Sequence, residues 1–148
     1  MPGVESELFL AGMRSFVNVL LSNVEADPQF QEKTRGKDFS LCNVIRVPPS
    51  FREKGIEDAY LRLRLSEGKV EAEVATSLPQ ADVVLEGDWE TWKRVISGQE
   101  ELSNAVVEGK IQVTQGAEKM DFEIISLVAN AMMRSTVPLD VFKLIEPS

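Results

Sequence analysis

"ADVVLEGDWETWKRVISGQEELSNAVVEGKIQVTQG", residues 81–116, changes its hydrophobic period at nearly every glycine. The opening "ADVVLEG" is a short aliphatic, β-branched run and reads as a strand. Asp88 follows as a helix cap. Trp89, Trp92, Val95 and Ile96 then recur at helical spacing and make one apolar stripe that ends at Gly98. "QEELSNAVVEG" gives a second, shorter helix with Leu102, Ala105 and Val106 on one side, stopped by Gly109. Lys110 to Thr114 reads as a strand with Ile111 and Val113 inward, and Gly116 turns the chain into a last helix. A phosphate loop runs from a strand into a helix and puts its lysine at the helix start. Gly109-Lys110 leads out of a helix into a strand, so the order is reversed. The other Gly-Lys, at Gly68-Lys69, lies between two strands, and the differing flanks exclude an internal repeat.

Upstream, residues 6–25 read as a helix capped by Ser6, with Phe9, Met13, Phe16, Val17, Leu20 and Val24 on one face and Leu10 and Leu21 widening it. Asp27-Pro28 ends that helix or starts a short second one. "QEKTRGKD" is expected as a polar connection. Phe39 to Val47 reads as a strand whose Phe39, Leu41, Asn43 and Ile45 point one way and whose Ser40, Cys42, Val44 and Arg46 point the other. Pro48-Pro49 stops it, and "SFREKGIED" is expected as a loop. The clearest alternation is "YLRLRL", with Leu61, Leu63 and Leu65 on one side. After a turn at Gly68 it resumes with Val70, Ala72 and Val74, giving a β-hairpin with arginines facing glutamates on its outer side.

Downstream, the last helix is expected over roughly Glu118 to Met133. It is apolar nearly all round: Met120, Ile124, Leu127, Val128 and Ala131 on one face, and Phe122, Ile125, Ala129, Met132 and Met133 on another. A helix that only covers a sheet needs one stripe. Either the apolar tail "VPLDVFKLI" covers the second face, or that face lines a cavity or groove. The element order predicts an α+β fold, a five-stranded mixed sheet with helices on one face. The chain of 148 residues is expected to form a single domain, 1–148: the N-terminal helix, the sheet and helices over 39–133, and an apolar tail over 135–148.

Composition narrows the chemistry. Net charge is −8 with scattered Lys and Arg, which argues against nucleic acid and against docking on anionic lipid by charge. Histidine is absent and Cys42 stands alone, so no Ser-His or Cys-His dyad, disulfide or ordinary zinc site can be built. No run approaches the ~20 apolar residues of a membrane span, and the acidic start "MPGVESEL" is unlike a secretory signal. A cytoplasmic protein without a cofactor or metal, and without stable membrane insertion, is expected.

Residues 81–116 also resemble the signature region of the sterol carrier protein type-two family. The matching positions are Asp82 to Leu85, Ile96 to Gly98, and Gly109-Lys110-Ile111 through Gly116. The "EGK" turn at Glu67 to Lys69 and the N-terminal helix fit as well, and the resemblance spans about residues 8–133. It implies a five-stranded sheet backed by helices that enclose an apolar tunnel. The family's ligands are sterols, fatty acids, acyl-coenzyme A or phospholipids, some members are accessory domains of enzymes, and no catalytic residues come with the fold. Ala117 departs from the acidic residue or Asn that often follows the second glycine, and the tail after Arg134 is longer and apolar.

The sequence therefore predicts a non-enzymatic binding module for a lipid-like small molecule, with Phe16, Val106, Ile124, Leu127, Val128, Ala131 and Met132 on the cavity wall. The alternative is an interaction protein with a filled core that forms a homodimer or docks on an enzyme through its last helix and tail. An enzyme built on Asp88 and Glu90 would need a carboxylate in a shifted environment, and an exposed helix start is a poor place for one. Trp89 and Trp92 are read as core, Cys42 as a buried small residue, and "GQEE" as a helix cap. Lys143 is read as a lysine whose stem covers apolar surface.

Overall fold

The computed structural model describes residues 3–66 and 69–133, the last two as backbone. β1 (Phe39–Arg46) is the central strand. β2 (Ala59–Ser66) lies antiparallel to it on one side and β4 (Val83–Asp88) parallel on the other. β3 (Lys69–Ala75) pairs antiparallel with β2, and β5 (Ile111–Gln115) antiparallel with β4. The five-stranded order is β3-β2-β1-β4-β5, a mixed sheet as expected. The register places Arg62 opposite Glu73 and Arg64 opposite Glu71 on the outer side of the hairpin. Arg62 Nη1 lies 3.3 Å from Glu73 Oε1. The turn residues 67 and 68 lie outside the described residues, as does the tail 135–148 with Lys143.

Period-two alternation sorts the sheet into two faces. Leu41, Ile45, Leu61, Leu63, Leu65, Val83 and Leu85 are buried on the helix-covered side. α1 (Val4–Glu25) packs along β3, α4 (Trp89–Ile96) on β4 and β1, and α5 (Leu102–Val107) on β5. α6 (Phe122–Met133) reaches α1, α2 (Pro28–Thr34), α4 and α5. The opposite face carries a small separate cluster of Cys42, Val44 and Val84 with Tyr60 and Ala81.

Phe9, Met13, Phe16, Val17, Leu20 and Val24 of the predicted α1 face are buried, and Leu10 and Leu21 beside them are half-buried. Its cap differs: the helix starts at Val4 with Gly3 at the N-cap, and Ser6 lies inside its first turn. α2 takes up part of the expected polar connection. Asp27 Oδ1 accepts from the Gln29 and Phe30 N–H groups at 3.0 and 3.4 Å, and Pro28 suits the first helical position. The expected loop after Pro48 contains α3 (Pro49–Arg52). Its Phe51 is buried against Phe9 and Trp89, ring centroids 6.0 Å from each, and that contact holds a turn with little local helical signal.

The last helix begins later than expected. Residues Ala117–Lys119 form a 3-10 turn, and α6 follows from Phe122. Asp121 is the reason: its Oδ1 accepts from the Glu123 and Ile124 N–H groups at 3.1 and 3.2 Å. The "GQEE" run does not cap through its side chains either. Glu101 is the N-cap of α5 without a side-chain bond. Glu100 instead receives Arg94 Nε at 3.2 Å and Lys110 Nζ at 2.9 Å, tying α4 to the residue that precedes β5. The Lys110 hydrogen bond is the main reason its carboxyl sits below the usual range.

Candidate ligand-binding site

α6 is positioned by Asp121, whose Oδ2 also meets Lys37 Nζ at 2.8 Å from the segment after α2. From that start, helical spacing turns Ile124, Val128 and Ala131 into the interior, at 2%, 3% and 0% exposure. Leu127 is half-buried at the edge of the same face. Phe16 comes from α1 and is buried; Val106 comes from α5 and is half-buried. All six belong to one continuous apolar cluster between sheet and helices. The seventh predicted residue, Met132, has its side chain outside the described residues.

The second face of α6 is also used. Ile125 and Ala129 are buried, and with Val95, Leu102 and Phe122 they line a cleft of about 230 Å³ between α6 and the α4–α5 corner. Phe122 at its rim is 58% exposed. At the other end of the helical layer Phe9, Phe51 and Trp89 form an aromatic knot, Phe9 and Trp89 meeting edge-on at 5.6 Å. A cleft of about 370 Å³ opens beside it, between Phe9 and Leu10 of α1 and the Gly55–Asp58 segment. The outer face of the sheet bears a larger polar cleft of about 740 Å³, bordered by Arg62, Arg64, Ser40 and Asp82.

The tryptophans are core, as expected. Trp92 is fully buried and its Nε1 donates to the Val44 carbonyl at 3.0 Å, fastening α4 to the end of β1. Gly87 leaves room for that indole, since a Cβ there would lie 3.2 Å from Nε1 and 2.9 Å from Ile111 Cγ1.

The carboxylates at the start of α4 are occupied structurally. Asp88 Oδ1 accepts from the Thr91 N–H at 2.8 Å, the expected cap. Exposed Glu90 pairs with Lys93 at 3.2 Å. Cys42 is buried on the outer face of β1, where loss of solvation pushes its thiol up to about 12. No group of three or more His, Cys, Asp or Glu among the described residues could hold a metal ion. The interior formed by the described residues is almost wholly apolar.

The buried polar side chains are few among the described residues: Thr34, Thr91 and Asn43. Sequence reading assigned Asn43 to the inner face of β1 without giving it a role. The signal was present, as one amide stands between Leu41 and Ile45 in a period-two apolar row.

This architecture superposes on solved structures of low sequence identity. A crystal structure of sterol carrier protein 2 matches with a TM-score of 0.69 at 17% identity, covering 80% of this chain and 93% of the other. Its fold is that of the sterol carrier proteins. A conserved hypothetical protein from Thermus thermophilus matches at 0.65 and 18% identity, over 85% of each chain. Palmitated SCP2L2 from Aedes aegypti matches at 0.51 and 15% identity, over 80% of this chain and 91% of the other. Residues 52–120 match the sequence profile of the SCP-2 sterol transfer family. That segment runs from the end of α3 through the 3-10 turn and contains the whole 81–116 signature. A comparison with curated proteins returns no match. α1, α2, β1 and α6 lie outside the segment that the family profile reaches. No helix among the described residues is long and apolar enough to cross a membrane.

Proposed function

We propose that this protein binds a lipid-like apolar ligand, a fatty acid, acyl chain or sterol-like molecule, between the inner face of the sheet and α6, and carries it without chemical change. The observation that carries this reading is α6 itself. It is apolar on two faces and joins α1, α2, α4 and α5 over a sheet whose inner side is almost wholly aliphatic. The sterol carrier fold and the family match over 52–120 support it, as does the palmitated state of one structural neighbour. The proposed wall is Phe16, Val106, Ile124, Leu127, Val128 and Ala131, with Met132 from the end of α6. Ligand pockets are mostly apolar with a few polar groups that fix orientation, and this composition fits.

The test is gentle purification, then native mass spectrometry and solvent extraction, with displacement of a fluorescent fatty-acid probe as the second readout. A co-purifying lipid or saturable displacement is expected. Ligand-free protein that takes up no probe would overturn the carrier reading and leave a domain that acts through protein contacts.

A further inference from the structure

Asn43 lies in the middle of the central strand and is 1% exposed. Its register partners are Leu61 on β2 and Leu85 on β4, and Leu41 and Ile45 flank it on its own face. All four are buried in the main apolar cluster. Its side chain therefore points between the sheet and the helical layer. Neither the amide oxygen nor the amide nitrogen has a hydrogen-bond partner in the protein. The other two buried polar residues are satisfied. Thr34 Oγ1 donates to the Phe30 carbonyl at 2.7 Å, and Thr91 Oγ1 accepts from Arg94 Nη2 at 3.4 Å. An amide buried without partners is costly, so each such group in a folded protein calls for a reason.

We infer that Asn43 is the polar anchor of the carried ligand, and that the ligand's head is a neutral oxygenated group. This rests on the carrier reading and adds the chemistry of the head. A primary amide offers N–H donors to a carbonyl or hydroxyl oxygen, and its own oxygen accepts from a hydroxyl proton. It brings no charge. The buried polar and charged residues are Thr34, Asn43 and Thr91 alone among those described, so no buried Lys or Arg accompanies the amide. An ionised carboxylate or phosphate taken to this depth would lose its hydration without gaining a counter-ion. A hydroxyl, an ester or ketone carbonyl, or a protonated acid loses far less. The amide and the alkyl wall together select a long apolar body with one neutral oxygen-bearing end.

The experiment compares dodecanol with 1-chlorododecane, similar in length but lacking the hydroxyl, as displacers of a fluorescent apolar probe from the full-length protein. Wild type is expected to favour dodecanol by about tenfold or more, because a buried polar group left unpaired penalises the analogue. Asn43→Leu should lose or reverse that preference, because the buried hydroxyl then finds no partner, and should stay folded, since it replaces an unsatisfied amide with an apolar side chain. Asn43→Val, suited to a strand, serves if the leucine variant fails to fold. In isotope-labelled wild type, dodecanol should shift the Asn43 side-chain NH2 signal, assigned by its loss in the variant. Equal binding of both compounds by wild type, or a preference that survives in the variants, overturns the assignment of Asn43 and leaves the carrier reading intact. Wild type that binds neither compound nor any fatty-acid probe overturns both.

Discussion

Gly36 and Gly116 share a φ of +77° but not a neighbourhood. A Cβ on Gly36 meets nothing within 4 Å, whereas on Gly116 it would run into the Asp82 carbonyl where the chain leaves β5 beside β4. Alanine at either position bears the left-handed penalty of about 1–2 kcal/mol. Gly36→Ala should cost no more than that. Gly116→Ala should cost clearly more, because the backbone it strikes cannot swing aside as a side chain would. Urea unfolding of the two variants isolates the difference, and equal losses would mean that the β4–β5 corner yields freely. Cys42 gives a second test at this scale. Only a thiolate attacks disulfide reagents, and burial has moved this thiol up to about 12. Native protein should leave such a reagent unreacted at about pH 8 and consume it on unfolding; rapid native labelling would show that the outer face of β1 opens. Residue scale is also where sequence reading stopped short. Alternation placed Asn43 on the inner face, but alternation says nothing of whether a polar group finds a partner there.

At the scale of elements, the start of α6 rests on Asp121, which caps the helix and pairs with Lys37 across 84 residues of chain. The Lys37 hydrogen bond is the leading reason its carboxyl sits below the ordinary 3.8, with the Ile124 and Glu123 N–H groups adding to it. The folded-state pKa is therefore lower than the unfolded one. Stability from this group is complete above about pH 4 and is lost as pH falls through the depressed value. Asp121→Asn keeps a good cap, because Asn caps nearly as well, and removes the titration. Its unfolding free energy should fall less steeply than wild type below about pH 4, while Asp121→Ala should lose about 1 kcal/mol of capping at neutral pH as well. Parallel acid limbs for wild type and Asp121→Asn would rule out the linkage. The same residue explains a misread boundary. Glu118 reads locally as a helix start, yet the start is set by Asp121, whose ion-pair partner is far away in sequence. α4 was legible because its cap, its Trp89–Ile96 stripe and its Gly98 stop are all local. α3 was not, because its one anchor, Phe51, is held by the distant Phe9 and Trp89.

At the scale of the molecule, the question is whether the α6 face is packed to capacity or keeps room for a ligand. Ile124 and Leu127 lie on that face and differ in burial: Ile124 is 2% exposed and Leu127 half-buried at its edge. In a rigid, filled core both truncations report packing alone. Ile124→Ala should then cost about 2–5 kcal/mol, and Leu127→Ala a smaller amount in proportion to its burial. Neither should show any selective effect on a lipid probe. The carrier reading predicts the same ordering of stabilities and differs in binding. Ile124→Ala remains the larger loss of stability, with Leu127→Ala below about 2 kcal/mol. Leu127→Ala should nevertheless weaken probe binding by several-fold, because its half-buried position puts it at the boundary a ligand must touch. Ala131→Phe sharpens the contrast. Ala131 is fully buried, and added bulk in a packed core costs about 1–3 kcal/mol. Where the core can part for an acyl chain, the phenyl ring takes the ligand's place, so probe binding is lost while stability changes little. Urea unfolding and probe titration on the three variants read both axes. A parent that binds probe, with Ala131→Phe stable and unable to bind, places the ligand against α6. An Ala131→Phe variant that is badly destabilised, in a parent that takes no probe, would leave α6 as an ordinary core helix.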